Sequence, residues 1–455
     1  MAKKGEHERR RGPDSPSKEP LTKGRSVFLL SLGCPKNRVD SELLLGCLAK
    51  EGYSVTERPE DADLLLVNTC AFIEPAKEES IEAILKLARI KDSNGDGKLI
   101  VTGCLAQRYG SQLEEELPEV DHFLGTNSCT DIGRIVRFEE GPHEGTRPLP
   151  RLILSDPKAS HVEGYPRIRS TAGGSAYLRI SEGCDRSCSY CVIPSIRGPQ
   201  RSRTIESLVE EARALVEDGV VELNLIAQDL SAYGRDIPSK PHLADLLREL
   251  GGVEGLHWIR MLYAYPSPMP DAFFDVWARN EKVLPYLDIP LQHASDSMLR
   301  LMRRGSSIDQ VRRDLAKMRK IIGAEKGGLT LRTTFLVGHP KETSDDFDRL
   351  IDFVEEMRFE NVGVFVYSDE EGTAAFDMPE KVPSSLAEER RARLMETQQR
   401  ISAEHQAKMI GRRLDVLVEG VSEESDLVIQ GRHAGQAPEI DGSFIWRVKH
   451  PGPGA

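Results

Sequence analysis

The stretch Cys184-Asp185-Arg186-Ser187-Cys188-Ser189-Tyr190-Cys191 sets three thiols at C-x-x-x-C-x-x-C spacing, directly after an apolar run at 177–181. A strand that ends in such a loop can aim three sulfurs at one centre. Thiolates are soft donors that suit iron–sulfur clusters or zinc. A structural zinc site is normally closed by four protein ligands, and no fourth Cys or His follows at matching distance. Three thiols therefore point to a 4Fe–4S cluster with one iron left open. The plainer readings are an incomplete zinc knuckle or unligated thiols.

A second trio has a different signature. Apolar runs at 27–33, 64–69 and 99–103 lead straight into Cys34, Cys70 and Cys104. Helical patterns at 40–51 and 75–90 separate them, which makes 26–138 an open parallel α/β domain. Near-continuous apolar strands fit a parallel sheet covered on both faces. Ligands bind at the carboxyl edge of such sheets. One Cys there is usually a small buried residue; three in succession point to a second cluster. Cys47 lies inside a helical pattern and reads as core packing, and Cys129 as a turn residue before a helix. Asp92-Ser93-Asn94-Gly95-Asp96-Gly97 looks like the start of a calcium loop, but Gly103 stands where the bidentate Glu belongs. It reads as a helix-to-strand turn.

The elements that must position the Cys184 loop follow the same logic. Strand patterns at 177–181, 221–227, 257–263, 286–292, 330–338 and 362–368 alternate with helical ones at 204–218, 242–250, 295–304, 308–322 and 344–358. Six such repeats predict a partial (βα)6 barrel of the TIM type over 176–382, with its active groups at the strand carboxyl ends. Gln228 and Asp229, Gln292 and His293, and Gly338-His339-Pro340 share that edge. Each is explicable alone as a cap or turn; together they read as the lining of a cofactor pocket. His293 fits a hydrogen-bonded structural role at least as well. Residues 139–175, rich in Gly, Pro, Ser and charge, read as a linker with one short strand pattern at 151–154. A mixed-charge connecting helix (383–413) leads to a small β module (414–455).

Composition bounds the rest. The 455 residues carry a net charge of −12, with 39% hydrophobic and 29% charged residues, which is globular and leaves room for two to four domains. No apolar stretch approaches the roughly 20 residues of a membrane span. Residues 1–25 are polar and read as a disordered extension, with no export signal. Eight cysteines in such a chain do not suggest a disulfide scaffold, so the expectation is a cytoplasmic protein with metal or redox chemistry. The acidic balance argues against a general nucleic-acid coat.

The Cys184 loop, with aromatic Tyr190 before its last Cys, resembles the radical S-adenosylmethionine superfamily. With both trios in view, the chain resembles the methylthiotransferases of that superfamily over 26–441. The likeness rests on Leu32-Gly33-Cys34-Pro35-Lys36-Asn37, Asn68-Thr69-Cys70, Thr102-Gly103-Cys104 and the Cys184 loop. It implies two 4Fe–4S clusters: one on Cys34, Cys70 and Cys104, the other on Cys184, Cys188 and Cys191 with S-adenosylmethionine on the open iron. It also implies a carboxy-terminal TRAM-like module that recognises substrate. Tyr190, Gln228, Asp229, Gln292 and Gly338 would line the S-adenosylmethionine pocket.

Branches of the family act on tRNA adenosine derivatives or on an aspartate of a small-subunit ribosomal protein. Gly33-Cys34-Pro35-Lys36-Asn37-Arg38-Val39-Asp40-Ser41-Glu42, Ile193-Pro194-Ser195-Ile196-Arg197-Gly198 and Ala227-Gln228-Asp229-Leu230-Ser231-Ala232-Tyr233-Gly234 resemble the ribosomal branch. The implied partner is ribosomal protein S-twelve, methylthiolated at an aspartate β-carbon, with two S-adenosylmethionines used per product and an electron donor such as flavodoxin or ferredoxin. From 411 to 455 there are seven Asp/Glu against five Lys/Arg, which suits a basic protein better than RNA phosphates. That module stops early compared with relatives. The rival readings are a tRNA methylthiotransferase and a non-catalytic metal-binding protein.

Overall fold

The computed structural model describes residues 25–95, 97–139, 149–154, 156–158, 164, 166–171, 173–422 and 425–447. The extension predicted at 1–25 lies outside them except for Arg25, which opens the first strand. The first sheet is built from β1 (Arg25–Ser31), α1 (Pro35–Lys50), β2 (Tyr53–Val55), β3 (Leu64–Thr69), α2 (Glu74–Asn94), β4 (Lys98–Gly103), α3 (Cys104–Glu116), β5 (His122–Leu124), α4 (Cys129–Glu139) and β6 (Leu152–Ile153). All its strands run parallel in the order β2-β1-β3-β4-β5-β6. The strand order reverses at β1, because β2 goes to one side and β3 to the other. Ligands bind in the crevice at such a switch point, and Cys34 and Cys70 follow the two strands that flank it.

Local chemistry explains these elements. Every residue of β3 is buried, as both faces of a parallel sheet require. Pro35 and Pro75 occupy first-turn positions of α1 and α2, where a missing N–H costs nothing. Gly95 (φ +88°) ends α2 before β4; Asp92, Ser93 and Asn94, read from sequence as part of the turn, are the last residues of the helix. Cys47 packs inside α1 with Leu44, Leu48, Leu66 and Ile135.

The second sheet carries β7 (Ser175–Arg179), then a short hairpin of β8 (Ser181–Glu182) and β9 (Arg201–Ser202) around α5 (Ile193–Arg197). It continues through α6 (Ile205–Glu217), β10 (Glu222–Ile226), α7 (Leu243–Gly251), β11 (Trp258–Met261), α8 (Asp271–Arg279), β12 (Val283–Asp288), α9 (Asp296–Leu301), α10 (Ile308–Lys326), β13 (Thr330–Val337), α11 (Ser344–Met357) and β14 (Asn361–Val366). Its six strands are parallel in the order β14-β13-β12-β11-β10-β7, the partial (βα)6 barrel expected. The sequence pattern missed α8, a nine-residue helix behind the proline-rich Tyr265-Pro266-Ser267-Pro268-Met269-Pro270.

The α12 helix (Ser384–Ala407) leads to an antiparallel sheet of β15 (Val416–Ser422), β16 (Ser425–His433) and β17 (Phe444–Arg447). This module does not hang free. Arg432 reaches Glu222 of β10 (2.5 Å), Asp441 accepts from Tyr286 (2.7 Å), and Ala437 packs with Tyr177, Ile226 and Tyr286. Val39 of α1 joins the same cluster. The barrel interior is thus walled by the first domain on one side and by the 432–441 loop on the other.

The segment read as a linker is tied down where it is described. Arg167 bonds Glu42 (2.5 Å) and Glu211 (2.8 Å), and Ser170 donates to Glu42. A Cβ on Gly46 would lie 2.0 Å from the carbonyl oxygen of Pro166, so only glycine lets this strap lie on α1.

Candidate functional site

Two glycines bring the first thiol trio together. Gly33 (φ +88°) precedes Cys34, and a Cβ there would sit 2.7 Å from the Cys70 Cβ and 3.0 Å from its Sγ. Gly103 (φ +98°) precedes Cys104, where a Cβ would meet Asn68 Oδ1 at 2.3 Å and the Thr69 carbonyl at 2.6 Å. Positive φ costs glycine nothing, so both loops close onto the end of β3. Buried Asn37 pins them, donating to the carbonyls of Leu32 (3.0 Å) and Thr69 (2.9 Å). Its Oδ1 lies 3.7 Å from Cys104 Sγ. Burial pushes the Cys104 thiol up to about 12; Arg197 pulls the other way, while Cys70 and Cys34 add to the rise. Cys70 is raised by burial and by Cys34.

The second trio is organised around Arg304 and the β11 carboxyl end. Cys184 donates its N–H to the Gly198 carbonyl (3.0 Å), and Cys191 to that of Cys188 (3.2 Å). Arg304 Nη1 lies 3.6 Å from Cys188 Sγ and its Nη2 bonds the Pro290 carbonyl (2.6 Å). Tyr265 stacks with Arg304 (4.0 Å) and Arg186 (3.8 Å), a cation–π pairing. Burial raises Cys184 to about 11 and Cys191 to about 12, with the neighbouring thiols adding in each case.

One charge network joins the first trio to the barrel. Arg197, from α5 just past Cys191, points Nη2 at Asn37 Oδ1 (2.6 Å), Asp40 Oδ2 (2.9 Å) and Cys104 Sγ (3.5 Å). Its Nη1 bonds Glu182 (2.9 Å). Arg179 of β7 also pairs with Asp40 and Glu182. Buried ion pairs persist only when each partner is met, and these are interlocked across the two domains. Lys36 lies on the same boundary, its Nζ 3.1 Å from the Tyr263 ring centroid. Burial lowers it to about 8, opposed by Cys34 and Asp288, so at neutral pH it remains mostly charged.

Family models match three segments: Uncharacterized protein family UPF0004 over 26–125, the Radical SAM superfamily over 178–354, and a TRAM domain over 410–452. The ribosomal protein uS12 methylthiotransferase RimO of Anaeromyxobacter sp. (strain Fw109-5) is 51% identical over 416 residues, covering 91% of this chain and 86% of its own length. That of Myxococcus xanthus (strain DK1622) is 49% identical over 421 residues, covering 92% and 86%. This chain belongs to the RimO family of ribosomal protein uS12 methylthiotransferases. A solved radical S-adenosylmethionine methyltransferase, TsrM of Kitasatospora setae, aligns with a TM-score of 0.55 at 17% identity over 75% of each chain; it shares the fold.

Within this RimO-family chain, the residues assigned by sequence to the S-adenosylmethionine pocket fall in distinct surroundings. Asp229 is buried and holds Arg186 Nε (2.8 Å) and Ser231 (2.6 Å). Gln228 donates to Glu182 (2.8 Å) and leaves Oε1 unpaired. Gln292 (φ +75°) exchanges main-chain bonds with Thr334 and Leu336. Tyr190 packs with Met298, Met302 and Leu336. Gly338 (φ +79°) faces α12, where a Cβ would lie 2.5 Å from the Ala387 Cβ, and its N–H goes to Glu342. His293 is fully buried, takes the Ser295 N–H (3.0 Å) and lies 3.5 Å from Glu342, the structural role weighed for it. Arg197, Arg304, Arg179 and Lys36 were not singled out by sequence; only their closeness to Cys residues along the chain or the strand-end position hinted at any of them.

Proposed function

We propose that Cys34, Cys70 and Cys104 hold one 4Fe–4S cluster, and that Cys184, Cys188 and Cys191 hold a second together with S-adenosylmethionine. The product is methylthiolated uS12, modified at an aspartate β-carbon. The reading is carried by two thiol trios at strand carboxyl ends, the first of which is tied to the barrel through Arg197. Among the described residues no group of three or more His, Cys, Asp or Glu forms a site for a single metal ion. A cubane spreads its thiolates over different irons, so it does not need them that close. The donor set fits such a group: three soft ligands and one arginine beside a sulfur in each trio, Arg197 at Cys104 and Arg304 at Cys188. These cations offset the negative charge that deprotonated, metal-bound thiolates bring.

The groups supply, when bound, hydrogen removal from an unactivated carbon and delivery of a methylated sulfur. The protein's share is placement and exclusion of water. The Tyr265 stack fixes Arg186 and Arg304 beside the Cys184 loop, and Asp229 orients Arg186. The Arg197 network holds the first trio against the barrel, whose interior is bounded by Tyr177, Tyr263 and Tyr286. The electron donor belongs with flavodoxin- or ferredoxin-like carriers, and the setting with the cytoplasm. No helix among the described residues is long and apolar enough to cross a membrane.

Mass spectrometry decides the reading. Anaerobically reconstituted chain, reductant and S-adenosylmethionine should add a methylthio group to purified uS12 and leave bulk tRNA unmodified. Modification of tRNA alone, or incorporation of only about four irons per chain where two cubanes need about eight, would overturn it.

A further inference from the structure

Three carboxylates around the barrel interior have partners of their own. Asp288 bonds Arg332 through Oδ1 (3.2 Å) and the Tyr263 N–H through Oδ2 (3.2 Å). Asp441 takes the Tyr286 hydroxyl (2.7 Å), the Ala437 N–H (2.8 Å) and Arg332 (3.4 Å). Glu439 pairs with Arg38 (3.1 Å) and Tyr177 (3.4 Å). Lys36 differs. It is only 6% exposed, and among the described residues no acceptor takes a hydrogen bond from Nζ, whose neighbour is the Tyr263 ring at 3.1 Å; Cys34, Asp288 and Glu182 favour its charge without bonding it. A buried ammonium is costly unless an anion meets it.

The position is informative as well as the deficit. Lys36 stands two residues beyond Cys34 in the first turn of α1. Tyr263, beneath it, holds a positive φ (+64°). Two residues further, Tyr265 lies between Arg186 and Arg304 beside the second trio. The ammonium therefore lies beside the first trio on the boundary between the two domains, over a ring whose chain leads two residues on to the second trio. We propose that Lys36 receives the side-chain carboxylate of the uS12 aspartate that is modified. The inference rests on the proposed function. The carboxylate is bonded to the reacting β-carbon, so a charge-assisted bond to Nζ fixes that carbon between the two centres. It also sets specificity: a neutral amide or nucleobase in the same place leaves the ammonium unpaired and is rejected.

The test is a double substitution across the contact. Binding of the full, anaerobically reconstituted chain is measured against uS12 and against uS12 with its target aspartate changed to asparagine. Wild type should prefer the aspartate form by about tenfold or more, as a charge-assisted bond implies. Lys36→Met should lose that preference while binding the asparagine form at least as tightly as wild type does, and Lys36→Arg should keep part of it. The assignment is overturned if Lys36→Met retains the preference or weakens both forms equally. Equal affinity of the wild-type chain for both forms overturns it without any variant, which covers a Lys36→Met chain that fails to fold. If wild type adds no mass to uS12 under turnover, the functional reading itself has failed. If it does and the preference ignores Lys36, only this inference has.

Discussion

Arg197 Nη2 lies 3.5 Å from Cys104 Sγ, so a barrel side chain touches the thiol trio of the other domain. The same guanidinium bonds Asn37, Asp40 and Glu182. Arg197→Met should cost about 3–5 kcal/mol, the usual consequence of stranding buried charges. Its effect should be non-additive with Arg179→Met, because both share Asp40 and Glu182. Urea unfolding of the two single variants and the double variant measures this.

Cys191→Ala should abolish reductive cleavage of S-adenosylmethionine and lower iron from about eight to about four per chain. Cys104→Ala should lower iron similarly yet retain that cleavage. Iron analysis and 5′-deoxyadenosine formation separate the two. If Cys191→Ala cleaves at the normal rate, the second site is misassigned.

Gly103→Ala meets both a φ of +98° and atoms at 2.3 and 2.6 Å. A destabilisation above about 1 kcal/mol follows from the backbone alone. Loss of iron from the first trio, with cleavage of S-adenosylmethionine intact, is the specific signature. Gly52 (φ +85°), with no atom within 4 Å of its Cβ position, is the control and should bear alanine at the strain cost only.

Asp346 caps α11. Burial opposes its ionisation, but hydrogen bonds from Ser295, Ser297 and Thr343 prevail and hold the carboxyl at about 2 against an ordinary 3.8. A depressed carboxyl stabilises the fold fully above the unfolded value, and this is lost as pH falls from 3.8 toward 2. Asp346→Asn should therefore be less stable than wild type at neutral pH, with the gap narrowing through that window. Denaturant midpoints across the acid range give the answer.

Arg432→Met strips Glu222 and Glu419 of a shared partner. Detachment of the carboxy-terminal module should expose 408–447 to limited proteolysis while the barrel core stays resistant. Unchanged cleavage kinetics would show that the Tyr286–Asp441 and Arg332–Asp441 contacts suffice.

What the sequence revealed follows from the range of the physics. The strand at 64–69 was legible because burial on both faces writes a local apolar run, that at 330–337 because alternate residues are buried, and the six thiols of the two trios could be named because they end strands or share one loop. Contacts between residues far apart left no local mark. Arg197 and Cys104 are 93 positions apart, and nothing around Lys36 says that its ammonium lies over Tyr263. The three-residue β5 and nine-residue α8 were too short for periodicity to declare. The contact of Gly338 with Ala387 of α12 is long-range in the same way: nothing near the strand end signals it.

Glu222 precedes its partner Arg432 by 210 positions, and a ribosome delivers them in that order. Synthesis runs from the amino end, and domains fold as they emerge. Every strand of the barrel is thus exposed before the segment that closes it has been made. The vessel is assembled open and stoppered last, which leaves the interior reachable by assembly factors until translation of the final module is complete.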